Sequence, residues 1–267
     1  MVYFYIWMVV QIVVESLPVS SSGHQLLLER LGTCFSLQNS FVQELFFLLD
    51  FSIKKIVDHS LHLVTVVIIG ITFFKRQREL FPLFAPTMHR FFSWCAIIVV
   101  ADLITALFYL LFGFYTVSIP LVLGFVITCV LLLSTISNHT NAHALPRWWH
   151  ALLLGTAQGI SLLPGISRFA STVAVGKWCG YSLYQSVLVS LLIEMPLIGA
   201  AGLYALLKLY KQELLGQIFT SAVVVFIFVA GAVSFFVLEW VIRRAQREQW
   251  WWFGIYMVLP IVIALFV

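Results

Sequence analysis

The 267-residue chain is 62% hydrophobic and only 10% Asp, Glu, Lys and Arg, against roughly 25% charged residues in soluble domains, and its mean hydropathy is +1.03. These figures exclude a soluble enzyme and imply an all-α polytopic membrane protein, a single domain of residues 1–267 whose helices pack on one another in lipid. A net charge of +4 is too small and dispersed for nucleic-acid binding and fits loops sorted by the positive-inside rule.

The chain opens with an apolar arm, Met1 to Val14, too short to cross a bilayer unaided. Gln11 and Glu15 lie four residues apart, on one helix face. Pro18 then breaks the run, and Ser20, Ser21, Ser22, Gly23 and His24 form a polar turn before a second arm beginning near Gln25. This reads as a re-entrant hairpin of about residues 1–30. An ionisable group at membrane depth costs about 2.5 to 3.5 kcal/mol, which makes the stretch a functional-site candidate. No Lys or Arg precedes Arg30, so a cleaved signal peptide is not expected.

Leu31 to Ser40 reads as a polar connection and Phe41 to Ile53 as a short apolar segment marked by Glu44 and Asp50. Spans follow at about Val57 to Phe74, Phe91 to Phe114 and Val117 to Ile136. Asn138 to His150 is a loop whose Arg147, Trp148 and Trp149 suit a membrane interface. Residues 151–176 are apolar but broken at Pro164 and Gly165, and they carry Gln158, Ser167, Arg168, Ser171 and Thr172, the design of the opening stretch repeated. Spans at about Leu183 to Leu207, Ile218 to Ile242 and Trp250 to Val267 make about six full transmembrane helices in all.

If Lys75 to Arg78 and the Arg243, Arg244 and Arg247 cluster both lie in the cytoplasm, residues 151–176 must enter and leave from that side without crossing. The hairpin without Lys or Arg then dips from the outer side. Two broken segments entering from opposite faces predict an inverted repeat with a site where they meet. There Arg168 follows Gly165 and opens a helix whose N-terminal dipole favours an anion, and its guanidinium suits a phosphate in bidentate geometry.

These two stretches resemble the bacterial undecaprenyl-diphosphate phosphatase (bacitracin-resistance) family. Its (Glu or Gln)xxxGlu and Pro-Val-Ser-Ser-(Ser or Thr)-Gly-His motifs are matched by Gln11, Glu15 and Pro18 to His24. Its Pro-Gly-x-Ser-Arg-Ser-x-x-Thr motif is matched by Pro164, Gly165, Ser167, Arg168 and Thr172, and a weaker Asp-x-x-x-His by Asp58 and His62. The resemblance covers essentially the whole chain. It implies removal of the terminal phosphate of a polyprenyl diphosphate in the bacterial inner membrane, at a site open to the periplasmic or outer side. It also implies a divalent cation, Mg²⁺ or Ca²⁺; membrane lipids are further expected partners, and a homodimer is left open, since the sequence does not reveal the oligomeric state.

By that resemblance the catalytic residues are Glu15, Ser21, His24 and Arg168, with Ser21 as candidate nucleophile, His24 as general acid or base and Arg168 as diphosphate clamp. Gln11, Ser20, Ser22, Gly165, Ser167 and Thr172 contact substrate, Glu15 and Gln11 hold the metal, and Asp58 and His62 support them. Gln11 stands where a first Glu is common, and Phe169 replaces a Ser, which removes a hydroxyl contact. Asp102 and Glu194 fall at positions expected to be apolar or Pro.

Other readings compete. A Glu15–Arg168 pair could simply hold the hairpins together, and the serines could cap the return helix. A secondary transporter or lipid flippase would use the same architecture, although transport alone does not require Ser21 and His24 beside Glu15. A scaffold without turnover is the remaining alternative. His139, His143 and His150 are read as interface residues rather than metal ligands, the Asn138-His139-Thr140 sequon as cytoplasmic, and Cys34, Cys95, Cys129 and Cys179 as packing residues.

Overall fold

The computed structural model describes residues 2–34, 51–84, 87–115, 117–136 and 147–267. The apolar segment with Glu44 and Asp50, the Asn138 sequon, His139 and His143 lie outside the described residues. The described chain is helical throughout: α1 (Val2–Val14), α2 (Ser21–Cys34), α3 (Phe51–Lys75), α4 (Gln77–Phe84), α5 (Met88–Tyr115), α6 (Leu121–Ser134), α7 (Trp148–Ile160), α8 (Arg168–Trp178), α9 (Leu183–Lys211), α10 (Leu215–Ile218), α11 (Ser221–Gln246), α12 (Trp251–Tyr256) and α13 (Val258–Phe266).

Four helices, α3, α5, α9 and α11, are long and apolar enough to cross a membrane. The other two expected spans are shorter. Pro120 stands at the N-cap of α6 and leaves 14 helical residues, about 21 Å at the α-helical rise, and the final segment is divided at Met257. Large apolar side chains such as Leu103, Leu110 and Phe114 on α5 and Val225, Phe228 and Phe236 on α11 face outward, which is stable only where the surroundings are lipid. The chain is a multi-pass membrane protein.

The same order of elements occurs twice: a broken hairpin, two long helices and a short apolar segment. The equivalent long helices α3 and α9 pack side by side, with Gly202 against His59 and Leu63, Gly199 against Val66 and Gly70 against Met195. Residue numbers rise on one helix as they fall on the other, so the two are antiparallel. Equivalent helices that run antiparallel give the two halves opposite orientations, an inverted repeat. The packing is reciprocal: α1 lies on α11 and α7 on α5. Ser234 donates to the carbonyl of Ile12 at 2.8 Å, and Thr105 to that of Gly155 at 3.3 Å.

Each hairpin returns to the end of the bundle it set out from. Lys54, at the start of α3, lies over the Trp7 ring of α1 and pairs with Glu29 of α2. In the second half, His150 of α7 meets the Tyr181 hydroxyl just beyond α8 at 2.5 Å. This second end is the one with the denser ion pairs, Arg76 with Glu239 and Lys177 with Glu248, both at 2.7 Å. Lys75 to Arg78 and Arg243 to Arg247 therefore share one end of the molecule.

Candidate active site

The hairpin tips meet where side chains have been removed. A Cβ on Gly23 would stand 2.9 Å from the Gly165 Cα, and one on Gly124 of α6 would stand 2.0 Å from the Pro164 carbonyl. Gly165 itself has φ +83°, a conformation that costs glycine little. Thr128, one turn along α6, donates to the Gly165 carbonyl at 2.8 Å and accepts from the Ser167 backbone N–H at 2.9 Å. Its hydroxyl clamps the turn that presents Arg168. Thr128 is a lone hydroxyl in an apolar span, and only the approach of α6 to the turn reveals its role.

Ser20 begins the return helix of the first hairpin at φ +69°. Its side chain accepts from the Gly23 N–H at 3.2 Å, and Ser167 accepts likewise from the Ala170 N–H at 3.2 Å. Both serines are buried and cap their helices. Ser22 is exposed, 3.5 Å from the Ser20 hydroxyl. Thr172 donates to the Arg168 carbonyl and bonds Ser190 of α9, tying α8 to α9. Phe169 packs its ring edge-on against Trp250 in the core, so the position that lost a hydroxyl faces away from the site.

At the end of α1, Glu15 has a side chain only 9% exposed. It accepts a hydrogen bond from the Ser21 hydroxyl, and its second oxygen lies 3.5 Å from His62 Nδ1. Gln11 Nε2 is 3.4 Å from the same nitrogen, while Gln11 Oε1 is buried without a hydrogen-bond partner. Such an atom costs free energy unless something binds it. The Gln11 amide, a carboxylate and an imidazole thus converge, a donor set that fits a divalent cation when the amide turns its oxygen inward. Gln25 donates to Asp58 at 2.9 Å, placing Asp58 and His62 on the face of α3 beneath Glu15.

His24 is held on both sides. Nδ1 donates to the Ser20 carbonyl at 2.8 Å; because a carbonyl only accepts, the neutral ring leaves its lone pair on Nε2. That nitrogen lies 3.0 Å from the hydroxyl of Tyr256, whose ring stacks on the imidazole at 10°. Tyr256 escapes sequence reasoning because it stands in the last apolar segment, far along the chain.

Arg168 pairs with Glu194 of α9 at 3.4 Å, and its Nε is buried without a partner. Glu15 pairs instead with Ser21 and His62, so the two strongest candidates do not neutralise each other. Glu194 nevertheless interacts electrostatically with both Arg168 and Glu15, which links the charged groups of the two hairpins. Asp102 accepts from Gln158 at 3.0 Å. Lys177, a potential partner for Glu194, is taken by Glu248.

A carboxylate-linked hydroxyl, an oriented imidazole and a guanidinium with an open N–H can together hold and attack a phosphate. Residues 5–263 match the profile described as Bacitracin resistance protein BacA. Among similar proteins, the undecaprenyl-diphosphatases of Borrelia hermsii and Borrelia recurrentis are each 27% identical to this chain, over 96% of it and 95% of their own length. The undecaprenyl-diphosphatase of Leptospira interrogans is 33% identical over 41% of this chain and 39% of its own. With nearly its whole length matched and the family's motif residues assembled at the junction of its two hairpins, the chain belongs to the BacA bacitracin-resistance family.

Proposed function

We propose that the protein hydrolyses undecaprenyl diphosphate to undecaprenyl phosphate and inorganic phosphate in the bacterial inner membrane, with its site open to the outer side. This activity recycles the lipid carrier for wall synthesis and confers bacitracin resistance. The observation that carries this reading is the hydrogen bond from Ser21 to Glu15, a nucleophile already in contact with a base. Arg168, with its unpartnered Nε, binds the diphosphate, and the N-terminus of α8 behind it adds dipole and N–H groups.

Ser21 attacks the terminal phosphorus as its proton passes to Glu15. The bond to the bridging oxygen breaks, and undecaprenyl phosphate leaves. Water then cleaves the seryl phosphate, with His24 as acid or base through Nε2, the nitrogen beside the Tyr256 hydroxyl. Glu15 and the Gln11 carbonyl would hold a divalent cation that offsets phosphate charge. A flippase would use the same hairpins, but it has no need of a hydroxyl bonded to a carboxylate.

The test is phosphate release from undecaprenyl diphosphate by the purified protein in detergent with a divalent cation, beside His24→Ala and Arg168→Ala. Release by the parent alone supports the phosphatase. A folded parent that releases none, whichever cation is added, refutes it.

A further inference from the structure

One cluster near this site joins His59, which stands in none of the motifs, to Asp58 and His62. Asp58, His59 and His62 occupy a single turn of α3, and one ligand atom from each lies within 4.8 Å of the others. Ligands about 2.0–2.2 Å from a zinc-sized ion stand roughly 3 to 3.5 Å apart, so binding would draw these atoms closer by up to about 1–2 Å. We propose that Asp58, His59 and His62, with Glu15 beside them, form a site for a first-row transition-metal dication such as Mn²⁺, Fe²⁺ or Zn²⁺. Its use in phosphate release rests on the phosphatase reading; the site itself is argued from its ligands.

Three independent features point to a cation there. Gln11 Oε1 is a buried atom without a hydrogen-bond partner, on an amide whose Nε2 touches His62. Asp58 is oriented by the Gln25 amide at 2.9 Å, the kind of outer contact that fixes a metal-ligating carboxylate. The charges are also unbalanced among the described residues: Asp58, Glu15 and Glu194 share this interior, Arg168 pairs with Glu194, and Lys54, the nearby cation that acts electrostatically on Asp58, is paired with Glu29. A dication restores neutrality where unpaired charge is costly.

The ligand chemistry selects the ion. Two imidazoles with one carboxylate suit Mn²⁺, Fe²⁺, Co²⁺ or Zn²⁺, whereas Mg²⁺ and Ca²⁺ prefer sites made of oxygen alone. His59 interacts electrostatically with Arg168, so the ion would stand within electrostatic reach of a phosphate held by that guanidinium.

The experiment is a titration of the chelator-treated, purified protein in detergent with Co²⁺, read by visible absorption. The parent is expected to bind one Co²⁺ per chain with the intensified d–d bands of nitrogen-ligated cobalt, and a tenfold excess of Mg²⁺ does not displace it. His59→Ala and His62→Ala are each expected to weaken binding at least about 100-fold, and Gln25→Ala about 10-fold. Thermal melting selects folded variants, with His59→Asn and His62→Gln as replacements where an alanine variant fails to fold. Bands like those of hydrated Co²⁺, equal displacement by Mg²⁺, or unchanged affinity in folded histidine variants would each overturn the proposal. Phosphate release is measured separately. Release with Mg²⁺ and no cobalt site removes this inference alone, while a cobalt site without release removes the phosphatase reading alone.

Discussion

Arg168 Nη1 lies 3.4 Å from Glu194 Oε1, and this ion pair occupies the guanidinium that a diphosphate would need. Glu194 therefore competes with substrate for Arg168. Glu194→Gln is expected to lower KM for the diphosphate severalfold in phosphate-release kinetics. The same change leaves Arg168 with less compensation. Breaking a buried pair costs about 3–5 kcal/mol, and because Arg168 is 22% exposed a smaller loss of about 1–3 kcal/mol is expected in chemical denaturation.

Ser21 and Glu15 are bonded to each other and are expected to act as one unit. Ser21→Ala and Glu15→Gln should each lower kcat at least about 100-fold. The double variant should be no slower than the worse single one. Additive losses in single-turnover kinetics would mean that the two act separately.

Tyr256→Phe keeps the ring stacked on His24 but removes the hydroxyl at 3.0 Å. A drop in kcat of about 10-fold with little change in KM is expected, because the imidazole loses its orienting partner rather than a substrate contact. Tyr256→Ala, which also removes the stacking, should be slower still.

Gly124→Ala would put a methyl 2.0 Å from the Pro164 carbonyl, and backbone on both sides leaves it no room. Activity and melting temperature are expected to fall together. Thr128→Val is a milder change at the same junction. It removes the hydroxyl that bonds Gly165 and Ser167 and should cost about 1–3 kcal/mol, including the orphaned carbonyl and N–H.

What could be read from the sequence was what local breaks and charges encode. Pro18 and Pro164 divide apolar runs, and Lys75 to Arg78 and Arg243 to Arg247 do share one end of the bundle. Glu15, Ser21 and Arg168 stood out because a polar side chain in an apolar run is costly wherever it points. The same rule marked Glu194 but could not name its partner, since α9 meets the second hairpin only after folding. Thr128 and Tyr256 carried no local mark. A threonine satisfies itself in any helix, a tyrosine suits any membrane interface, and both acquire their roles from contacts across the repeat. Ser20 and Ser167 carry a role the motifs do not state: their hydroxyls also accept from the N–H groups of their own helices, which leaves each O–H free to donate.

The two halves of the chain no longer carry the same chemistry. The bonded carbonyls of Ile12 and Gly155 each stand three residues before a polar side chain, Glu15 in one half and Gln158 in the other, so a neutral amide occupies the place of the acid. The guanidinium stands only on the side with the amide. A pair of first halves would bring together two acids and nothing to grip an anion; a pair of second halves would grip it and have no carboxylate at that place to receive a proton. Split between Ile136 and Arg147, the gene would be rescued only by co-expressing both unlike fragments, never by doubling either one.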